Sequence, residues 1–297
     1  MDEIKLGDVT VTRVEETHGP IMPADAFFPT VPEKAWQEQR DLLVPDHLDD
    51  DGTVHAAMQT WVLRSGGRTV LVDTAVGDDK DRPAVAAWHH QRTGFLDRLA
   101  AAGVRPEDVD LVVNTHLHAD HIGWNTRLSG GRWVPTFPNA TYLMPAADFH
   151  HWNPRTNPAV AGGVNENAYE DSIAPVHEAG QGRLWEDEHR IDANLRLVAA
   201  PGHTPGHAVL VLESGGDRAL FAGDIVHTPL QLRHHEHSSC FCEDPVRAHA
   251  TRRRWLDWAA DNRALVLPAH FSGRSALEVE RRGDGYGVRG WGPLPRY

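Results

Sequence analysis

The sequence contains few cysteines, no long apolar run and fewer basic residues than acidic ones. Only one residue separates its two cysteines, Cys240 and Cys242, and so close a pair is poorly placed for a structural disulfide. A Cys-x-Cys pair could bind a metal ion, but we favour the interpretation of both as free thiols in a loop. No window is apolar enough to span a membrane, and residues 1–14 lack the basic start and apolar stretch of a signal peptide. These absences predict a cytoplasmic protein with no membrane partner.

Charge narrows the range of partners further. The 29 lysines and arginines are outnumbered by 42 aspartates and glutamates, which gives a formal net charge of -13. Because such a chain repels a phosphate backbone, we do not expect nucleic acid as a partner. The charge does not name a substrate, and our expectation of a small-molecule substrate rests on the metal-site motifs instead. The 20 histidines favour a bound metal ion, since imidazole is the commonest metal-binding side chain.

A chain of 297 residues, with 40% hydrophobic and 24% charged residues, is long enough to bury a substantial core. It contains no Gly/Ser-rich or Pro-rich linker, so we treat residues 1–297 as one domain. Residues 18–51 are rich in proline and aromatic side chains and are too long for a simple connection. They are predicted to form either a lid over a site or a disordered arm.

Alternating strand and helix signals indicate a layered α/β fold. A strand pair is predicted on either side of Gly7-Asp8, which is a two-residue hairpin signal. The Gly- and Arg-rich C-terminal residues receive no prediction. Short apolar runs predict further strands at 58–63, 69–73, 110–115, 141–144, 195–199, 208–212, 219–222 and 264–267, with helices at 96–102, 146–152 and 245–262.

The motif His-Leu-His-Ala-Asp-His, residues 116–121, directly follows one of these buried strands. In an extended loop alternate side chains point the same way, so His116 and His118 can bind one ion. Asp120 and His121 then turn toward a neighbouring position. Four potential ligands within six residues predict a metal site, and coincidence is a poor alternative account.

Three further motifs place potential ligands at strand ends. His203 lies in the loop Pro-Gly-His-Thr-Pro-Gly-His, Asp224 ends Ala-Gly-Asp, and His270 ends Pro-Ala-His. Convergence of four such strand ends at one sheet edge is the strong signal for a site. His207 is predicted to hydrogen-bond within its loop, and Arg252-Arg253-Arg254 to form the exposed face of a helix. The residues His234, His235 and His237 are either a third metal site or a solvated loop, and we favour the loop.

The succession HLHADH, GHTPGH, AGD and PAH resembles that of the metallo-β-lactamase fold superfamily, over about residues 58–270. The resemblance implies a four-layer αββα sandwich of two similar halves with two divalent metal ions at one edge. Zinc is the usual ion, and iron or manganese serves some relatives. The implied ligands are His116, His118 and His203 for the first ion, Asp120, His121 and His270 for the second, and Asp224 as the bridge.

Other residues gain expected roles from the same resemblance. Asp73 matches an early strand-end aspartate of the family, and with Thr115 it would orient ligands from behind. His227 would either line the pocket or have a structural role. Asp120 would also be catalytic, because a carboxylate at a metal edge can pass a proton to the leaving group.

Shorter matches at 120–125, 135–140 and 223–227 resemble the quorum-quenching lactonase and methyl parathion hydrolase branch. They imply hydrolysis of an ester or lactone, acyl-homoserine lactones and organophosphates included, by attack of a metal-bound hydroxide. Since such lactonases are often dimers, they also imply a homodimer. Two alternatives stay open. One is a glyoxalase II-like thioester hydrolase with an anion-binding pocket near Arg274, Arg281 and Arg282, and the other is a non-catalytic metal-binding sensor or scaffold.

Overall fold

The computed structural model describes residues 3–294, so residues 1, 2 and 295–297 of the predicted domain lie outside the described residues. Strands dominate this part of the chain. They are β1 (Glu3–Leu6), β2 (Val9–Pro23), β3 (Thr53–Ser65), β4 (Arg68–Val72), β5 (Leu111–Val113), β6 (Thr126–Ser129), β7 (Arg132–Pro135), β8 (Thr141–Pro145), β9 (Gly182–Trp185), β10 (Glu188–Arg190), β11 (Leu195–Ala199), β12 (Ala208–Ser214), β13 (Asp217–Gly223), β14 (Leu265–Pro268), β15 (Leu277–Arg282) and β16 (Gly285–Trp291).

Helices connect and cover the strands, and most of them are short. Within residues 3–294, no helix combines the length and the apolar character needed to cross a bilayer. A π-helical turn, Tyr169–Ile173, leads into one of them. The helices are α1 (Ala24–Phe27), α2 (Glu33–Glu38), α3 (Arg40–Leu43), α4 (Phe95–Ala101), α5 (Ala119–Ile122), α6 (Ala146–His151), α7 (Ala174–Glu178), α8 (Leu230–Arg233) and α9 (Pro245–Asn262).

The strands form two seven-stranded sheets and one small ribbon. The first sheet has the order β1-β2-β3-β4-β5-β8-β9, the second runs from β10 to β16 in sequence order, and β6 pairs with β7. In the first sheet β4, β5, β8 and β9 are parallel, and in the second β13 and β14 are parallel. Parallel neighbours bring their carboxyl ends to the same edge, and that edge carries the polar loops.

Apolar side chains place the two sheets face to face with helices outside. Alternate residues of both sheets meet in one inner core, which contains Val9, Val11, Trp61, Leu63, Val70, Leu197, Leu210, Phe221 and Leu267. The outer face of the first sheet packs on Phe95 and Leu99 of α4, and that of the second on Trp255 and Leu256 of α9. The fold is therefore an αββα sandwich, which confirms the predicted fold class. Because the two sheets share this inner core, we propose that the chain forms one domain.

The segment 18–51 is partly strand and partly helix, so the disordered alternative is wrong. β2 continues to Pro23 and pairs with β3, with register shifts between Glu15 and Thr17 and between Pro20 and Met22. Such bulges let a strand accommodate proline, which cannot donate to the ladder. The remainder forms α1, α2 and α3, whose apolar side chains pack into a separate small core: Phe27, Phe28, Trp36 and Leu43.

The C-terminal residues form a hairpin that the sequence analysis missed. β15 and β16 pair antiparallel around Gly283, which has φ +60° and therefore suits a residue without Cβ. Leu277 and Val279 are buried in alternation with the charged Glu278 and Glu280. This alternation of apolar and charged residues is a strand signal, but the Gly- and Arg-rich composition of the surrounding residues led us to make no prediction there.

Arg252 is buried, so its assignment to an exposed helix face is wrong. Its position on α9 faces the second sheet, together with Ala248, Trp255 and Leu256. Its Nε donates to the carbonyl of Ile225 at 2.6 Å, and one terminal nitrogen donates to the carbonyl of His235 at 2.7 Å. The guanidinium thus fixes the loop that contains the predicted histidine cluster, because it satisfies carbonyls that would otherwise be buried without a donor.

Candidate metal centre

Loops after four strands carry the seven predicted ligands to one edge of the sandwich. His116 and His118 follow β5, and Asp120 and His121 lie in the short helix α5 that comes next. The other three side chains follow β11, β13 and β14. The structure brings them together in two groups whose ligand atoms lie within 4.8 Å of one another, namely His116, His118, His203 and Asp224, and then Asp120, His121 and His270.

The first group encloses a small space between three imidazoles and one carboxylate. Nδ1 of His118 lies 3.1 Å from Nε2 of His116 and 3.0 Å from Nε2 of His203. Oδ2 of Asp224 is 3.2 Å from Nε2 of His203 and 3.8 Å from Nε2 of His116. Ligand atoms at about 2.0–2.1 Å from a four-coordinate zinc ion lie about 3.4 Å from each other, so this spacing fits such an ion.

The second group adjoins the first and shares Asp224 with it. Nε2 of His121 and Nε2 of His270 lie 3.1 Å apart. Oδ1 of Asp224 is 3.4 Å from the first of these nitrogens and 3.2 Å from the second. Asp120 completes the group, with its oxygens 3.8 Å from Nε2 of His121 and 3.6 Å from Nε2 of His270. Oδ2 of Asp224 also lies 3.2 Å from Nε2 of His270, so the carboxylate lies between the two groups and contacts both.

The electrostatics of the cluster suit a cation. Burial lowers the pKa of His116 and of His118 well below the ordinary value, so both offer neutral lone pairs. Burial also opposes a charged His121, but the carboxylates of Asp224 and Asp120 outweigh it and raise the pKa of His121 well above 6.5. Despite burial, the surrounding imidazoles hold the pKa of Asp224 well below its ordinary value. A divalent ion bound here would displace the protons from these imidazoles and would balance the negative charge of the carboxylates in their place.

Outer partners fix the orientation of the imidazoles. Asp73 accepts from the backbone N and the hydroxyl of Thr115 at 2.7 and 2.8 Å, and its Oδ2 lies 2.9 Å from Nδ1 of His121. Thr115 Oγ1 is also 3.1 Å from Nδ1 of His116, and Nδ1 of His270 is 3.0 Å from the carbonyl oxygen of Ala57. These contacts leave the other ring nitrogens directed into the cluster, which is how outer partners set ligand tautomers.

Two buried residues that the sequence analysis missed hold the ligand loops together. The carboxylate of Asp148 accepts from the backbone N of Leu117 at 2.9 Å and from the hydroxyl of Thr204 at 2.8 Å. It thereby joins the His116–His118 loop to the His203 loop. Asn165 accepts from the backbone N of Ala119 at 2.7 Å and donates to the carbonyl of Leu117 at 3.0 Å. No sequence motif marks either residue, because both act on loops distant in the chain.

The remaining histidines of the motifs lie as follows. His207 is outside both groups, but its hydrogen bonds reach beyond its own loop: Nε2 accepts from the backbone N of Asp224 at 2.9 Å, and Nδ1 lies 3.2 Å from the carbonyl oxygen of Ala200. Nε2 of His227 lies 3.3 Å from Oδ2 of Asp224. Among residues 3–294, His234, His235 and His237 do not gather into a group of three ligands.

An apolar cavity of about 240 Å³ opens onto the cluster. Asp120, Asp224, His227 and His270 lie at its polar end. In the part of the chain that the structure describes, none of the lining side chains is a lysine or an arginine. Its apolar walls include Ile21, Phe27, Met58, Val85, Trp88 and Phe241.

Behind the cluster, a buried carboxylate ties β2 to the loops that follow β4 and α5. Glu16 accepts from the backbone N of Val76 at 2.9 Å and from the indole Nε1 of Trp124 at 2.6 Å. Desolvation outweighs these hydrogen bonds and raises the pKa of Glu16 from 4.5 to about 7. The folded protein therefore favours the neutral form of Glu16 over the ionised form.

We expect Glu16 to make stability pH-dependent. The pKa of Glu16 is higher in the folded protein than in the unfolded chain. Its contribution to the free energy of unfolding is therefore fully present below pH 4.5 and is lost as pH rises through about 7. Glu16→Gln cannot titrate, so the unfolding free energy of the wild type should fall relative to that of the variant by up to about 3 kcal/mol between pH 4.5 and 8. Urea unfolding across this range measures the difference, and a constant offset at every pH would contradict the assignment.

Comparison with known families decides which group of proteins this cluster belongs to. The family model described as the metallo-beta-lactamase superfamily matches residues 59–270, which is more than half of the chain and contains every predicted ligand. The chain belongs to the metallo-beta-lactamase superfamily. This membership favours metal-dependent hydrolysis over the hypothesis of a non-catalytic sensor or scaffold.

Individual members of the metallo-beta-lactamase superfamily resemble the chain to different extents. The N-acyl homoserine lactonase AttM of Rhizobium radiobacter is 28% identical over 179 residues, which cover 60% of this chain and 64% of that protein. The hydrolase AbOPH superposes with a TM-score of 0.80 at 22% identity, over 99% of this chain and 97% of its own. AidC, a dizinc quorum-quenching lactonase in complex with an N-hexanoyl-L-homoserine product, superposes with a TM-score of 0.75 at 20% identity, with the same two coverages.

Proposed function

We propose that the protein is a dinuclear metal-dependent hydrolase of a neutral ester or lactone that carries an apolar group, with acyl-homoserine lactones and organophosphates as the classes to test. One observation carries the proposal: both ligand groups contact Asp224 and face an apolar cavity that no lysine or arginine among residues 3–294 lines. We propose zinc as the ion at both positions, since imidazole and carboxylate ligands without thiolate suit it, and iron and manganese as substitutes.

The chain's own residues divide the chemistry between them. Two bound ions at such a site would activate water and polarise the substrate oxygen. Asp120 is partly exposed at the cavity, where its carboxylate can take a proton and deliver it to the leaving alkoxide. In a lactone the acyl C–O bond breaks, so the products are a carboxylate and a hydroxyl within one molecule. We propose that His227, at the polar end of the cavity, contacts the substrate and helps to orient its carbonyl.

The lining of the cavity favours a neutral substrate over a glutathione thioester. A glyoxalase II-like site needs cationic groups for the glutathione carboxylates. Arg281 instead pairs with Asp257 and Asp261 at the surface. Neither it nor Arg274 or Arg282 lines the cavity at the cluster. Apolar walls would gain little from binding a charged tripeptide, because its charges would be desolvated without partners.

The relatives support the lactone as the first substrate to test. AttM is an N-acyl homoserine lactonase by name, and AidC was crystallised with an acyl-homoserine product. An acyl chain would fit the apolar walls, while its lactone carbonyl would face the ligand groups. Residues 18–51 contribute Ile21, Met22 and Phe27 to these walls, and we propose that this segment is the lid.

A panel of substrates tests the proposal. Purified protein is loaded with zinc and assayed with an N-acyl homoserine lactone, an aryl ester, a phosphotriester and a glutathione thioester, each with and without a chelator. We expect chelator-sensitive turnover, fastest for the lactone or the phosphotriester. Turnover of the thioester alone would replace this proposal with the glyoxalase-like one.

Phe27→Ala is expected to weaken binding of long acyl chains. The Phe27 ring lines the cavity and lies 5.6 Å, centre to centre, from the rings of both Phe241 and His227. Loss of its apolar surface should raise KM for a decanoyl lactone about tenfold, since burying such a side chain contributes roughly 1.5–3 kcal/mol. Steady-state kinetics with an acetyl lactone provide the control. Equal effects on both lactones would show that Phe27 does not contact the chain.

A further inference from the structure

We propose that Cys242 is a positioning residue for His203, an inference that rests on the proposed metal centre. In this assignment its sulfur accepts a hydrogen bond from Nδ1–H of His203 and so keeps Nε2 free to bind an ion. The cysteine fills the place that a carboxylate or a carbonyl usually fills behind a metal-binding histidine. The sequence alone favours a free thiol over a metal ligand at this position.

The contacts of His203 carry the assignment. Its Nδ1 lies 3.5 Å from Sγ of Cys242, within hydrogen-bonding distance for sulfur. On the other side of the ring, Nε2 lies 3.0 Å from Nδ1 of His118 and 3.2 Å from Oδ2 of Asp224. A neutral imidazole has one N–H and one lone pair, so an acceptor at Nδ1 selects the tautomer whose lone pair faces the ligand group.

Backbone hydrogen bonds hold the sulfur in this position. Glu243 N donates to the carbonyl of His203 at 2.9 Å, and Asp244 N donates to the carbonyl of Gly202 at 2.9 Å. The Gly202 backbone presses against α9 so closely that a Cβ there would lie 2.2 Å from the nitrogen of Ala248. The loops that carry the cysteine and the histidine are therefore bonded to each other, and these bonds fix the distance between Sγ of Cys242 and Nδ1 of His203.

The same segment reaches the cavity wall. Cys240 N donates to the carbonyl of Phe27 at 2.9 Å, and Phe241 lines the cavity. Ser239 Oγ lies 3.6 Å from the sulfur of Cys242 and 3.4 Å from Nε2 of His227. A chain of polar contacts thus leads from His203 through the thiol to the polar end of the cavity. Cys240 is exposed, which makes it a matched control two residues away.

Zinc affinity of four proteins tests the inference: the wild type, Cys242→Ala, Cys242→Ser and Cys240→Ala. Chelator competition at fixed pH gives the affinities, and thermal unfolding without metal shows whether each variant folds. We expect Cys242→Ala to bind one of its two ions, the one that His203 would hold, about 10- to 100-fold less tightly, the range for loss of such outer partners. Cys242→Ser should recover most of the affinity because a hydroxyl also accepts, and Cys240→Ala should match the wild type.

Three results would overturn the inference. Cys242→Ala could bind zinc as tightly as the wild type, both alanine variants could be weakened equally, or the cobalt-substituted wild type could show a thiolate-to-metal charge-transfer band. The last result would make the sulfur a direct ligand. Wild-type protein that binds no divalent ion would instead refute the proposed function itself, so failure of the two proposals can be told apart.

Discussion

Replacing Asp224 with alanine is expected to leave the protein unable to hold two metal ions and to lower kcat/KM for its best substrate by more than about 100-fold. Loss of an outer partner of a metal ligand already costs 10- to 100-fold, so loss of a shared ligand should cost more. Oδ2 of Asp224 lies 3.2 Å from Nε2 of His203, and both oxygens of Asp224 lie 3.2 Å from Nε2 of His270. Without this carboxylate, His116 and His203 would also lose a negative charge that lies within 4 Å of each.

Metal content and kinetics measured on the same sample check this expectation. Glu213→Ala is the matched control, since it removes an exposed carboxylate that pairs with Arg218 on the surface. The control should keep two ions and wild-type kinetics. An Asp224→Ala protein with two tightly bound ions and near wild-type turnover would exclude the bridging role.

The second large effect is expected from Gly123→Ala, which should destabilise the protein by about 3 kcal/mol or more. A Cβ at residue 123 would lie 1.8 Å from the carbonyl oxygen of Val76, and backbone atoms cannot yield as a flexible side chain can. Overpacking typically costs 1–3 kcal/mol, and contact with backbone belongs at the upper end of that range or beyond it. Gly123 N also donates to the carbonyl of Ala75 at 2.7 Å. The segments around residues 76 and 123 therefore cannot move apart without losing that hydrogen bond.

The position of this glycine links stability to the metal centre. It directly follows α5, which carries Asp120 and His121, so any shift of the loop displaces two of the proposed ligands. Urea unfolding gives the free energy, and chelator competition gives the affinity for the second ion. Gly290→Ala is the control, since nothing lies within 4 Å of its added Cβ, and it should change stability by less than about 1 kcal/mol. Similar effects of the two substitutions would refute the packing argument.

Local sequence was sufficient to predict a layered α/β fold and a metal site at one sheet edge, while the sandwich and the grouping of the candidate ligands followed from the family resemblance. In the HLHADH motif, spacing along an extended loop determines which side chains share a direction. The strands before His203, Asp224 and His270 were legible as short apolar runs, and parallel strands bring their ends to one edge. These signals need no knowledge of distant contacts.

Residues that act across long separations could not be predicted in the same way. Asp148 bonds to loops 31 and 56 residues away, and Glu16 bonds to Trp124 across 108 residues. Nothing in the neighbouring sequence marks a carboxylate as buried, because burial results from the packing of elements that are distant in the chain. For Arg252 the prediction was exposure and the structure shows burial. A run of three arginines is typical of a solvated helix face, and only the packing of the helix on the sheet determines which of them is buried.

Anomalous diffraction from crystals of the zinc-loaded protein would test the central claim most directly. Two peaks are predicted about 3.5–4 Å apart. One should lie about 2.0–2.1 Å from the imidazole nitrogens of His116, His118 and His203, and the other at such distances from those of His121 and His270, with Asp224 between them. A single peak, or a pair that does not share Asp224, would contradict the dinuclear site and the function proposed from it.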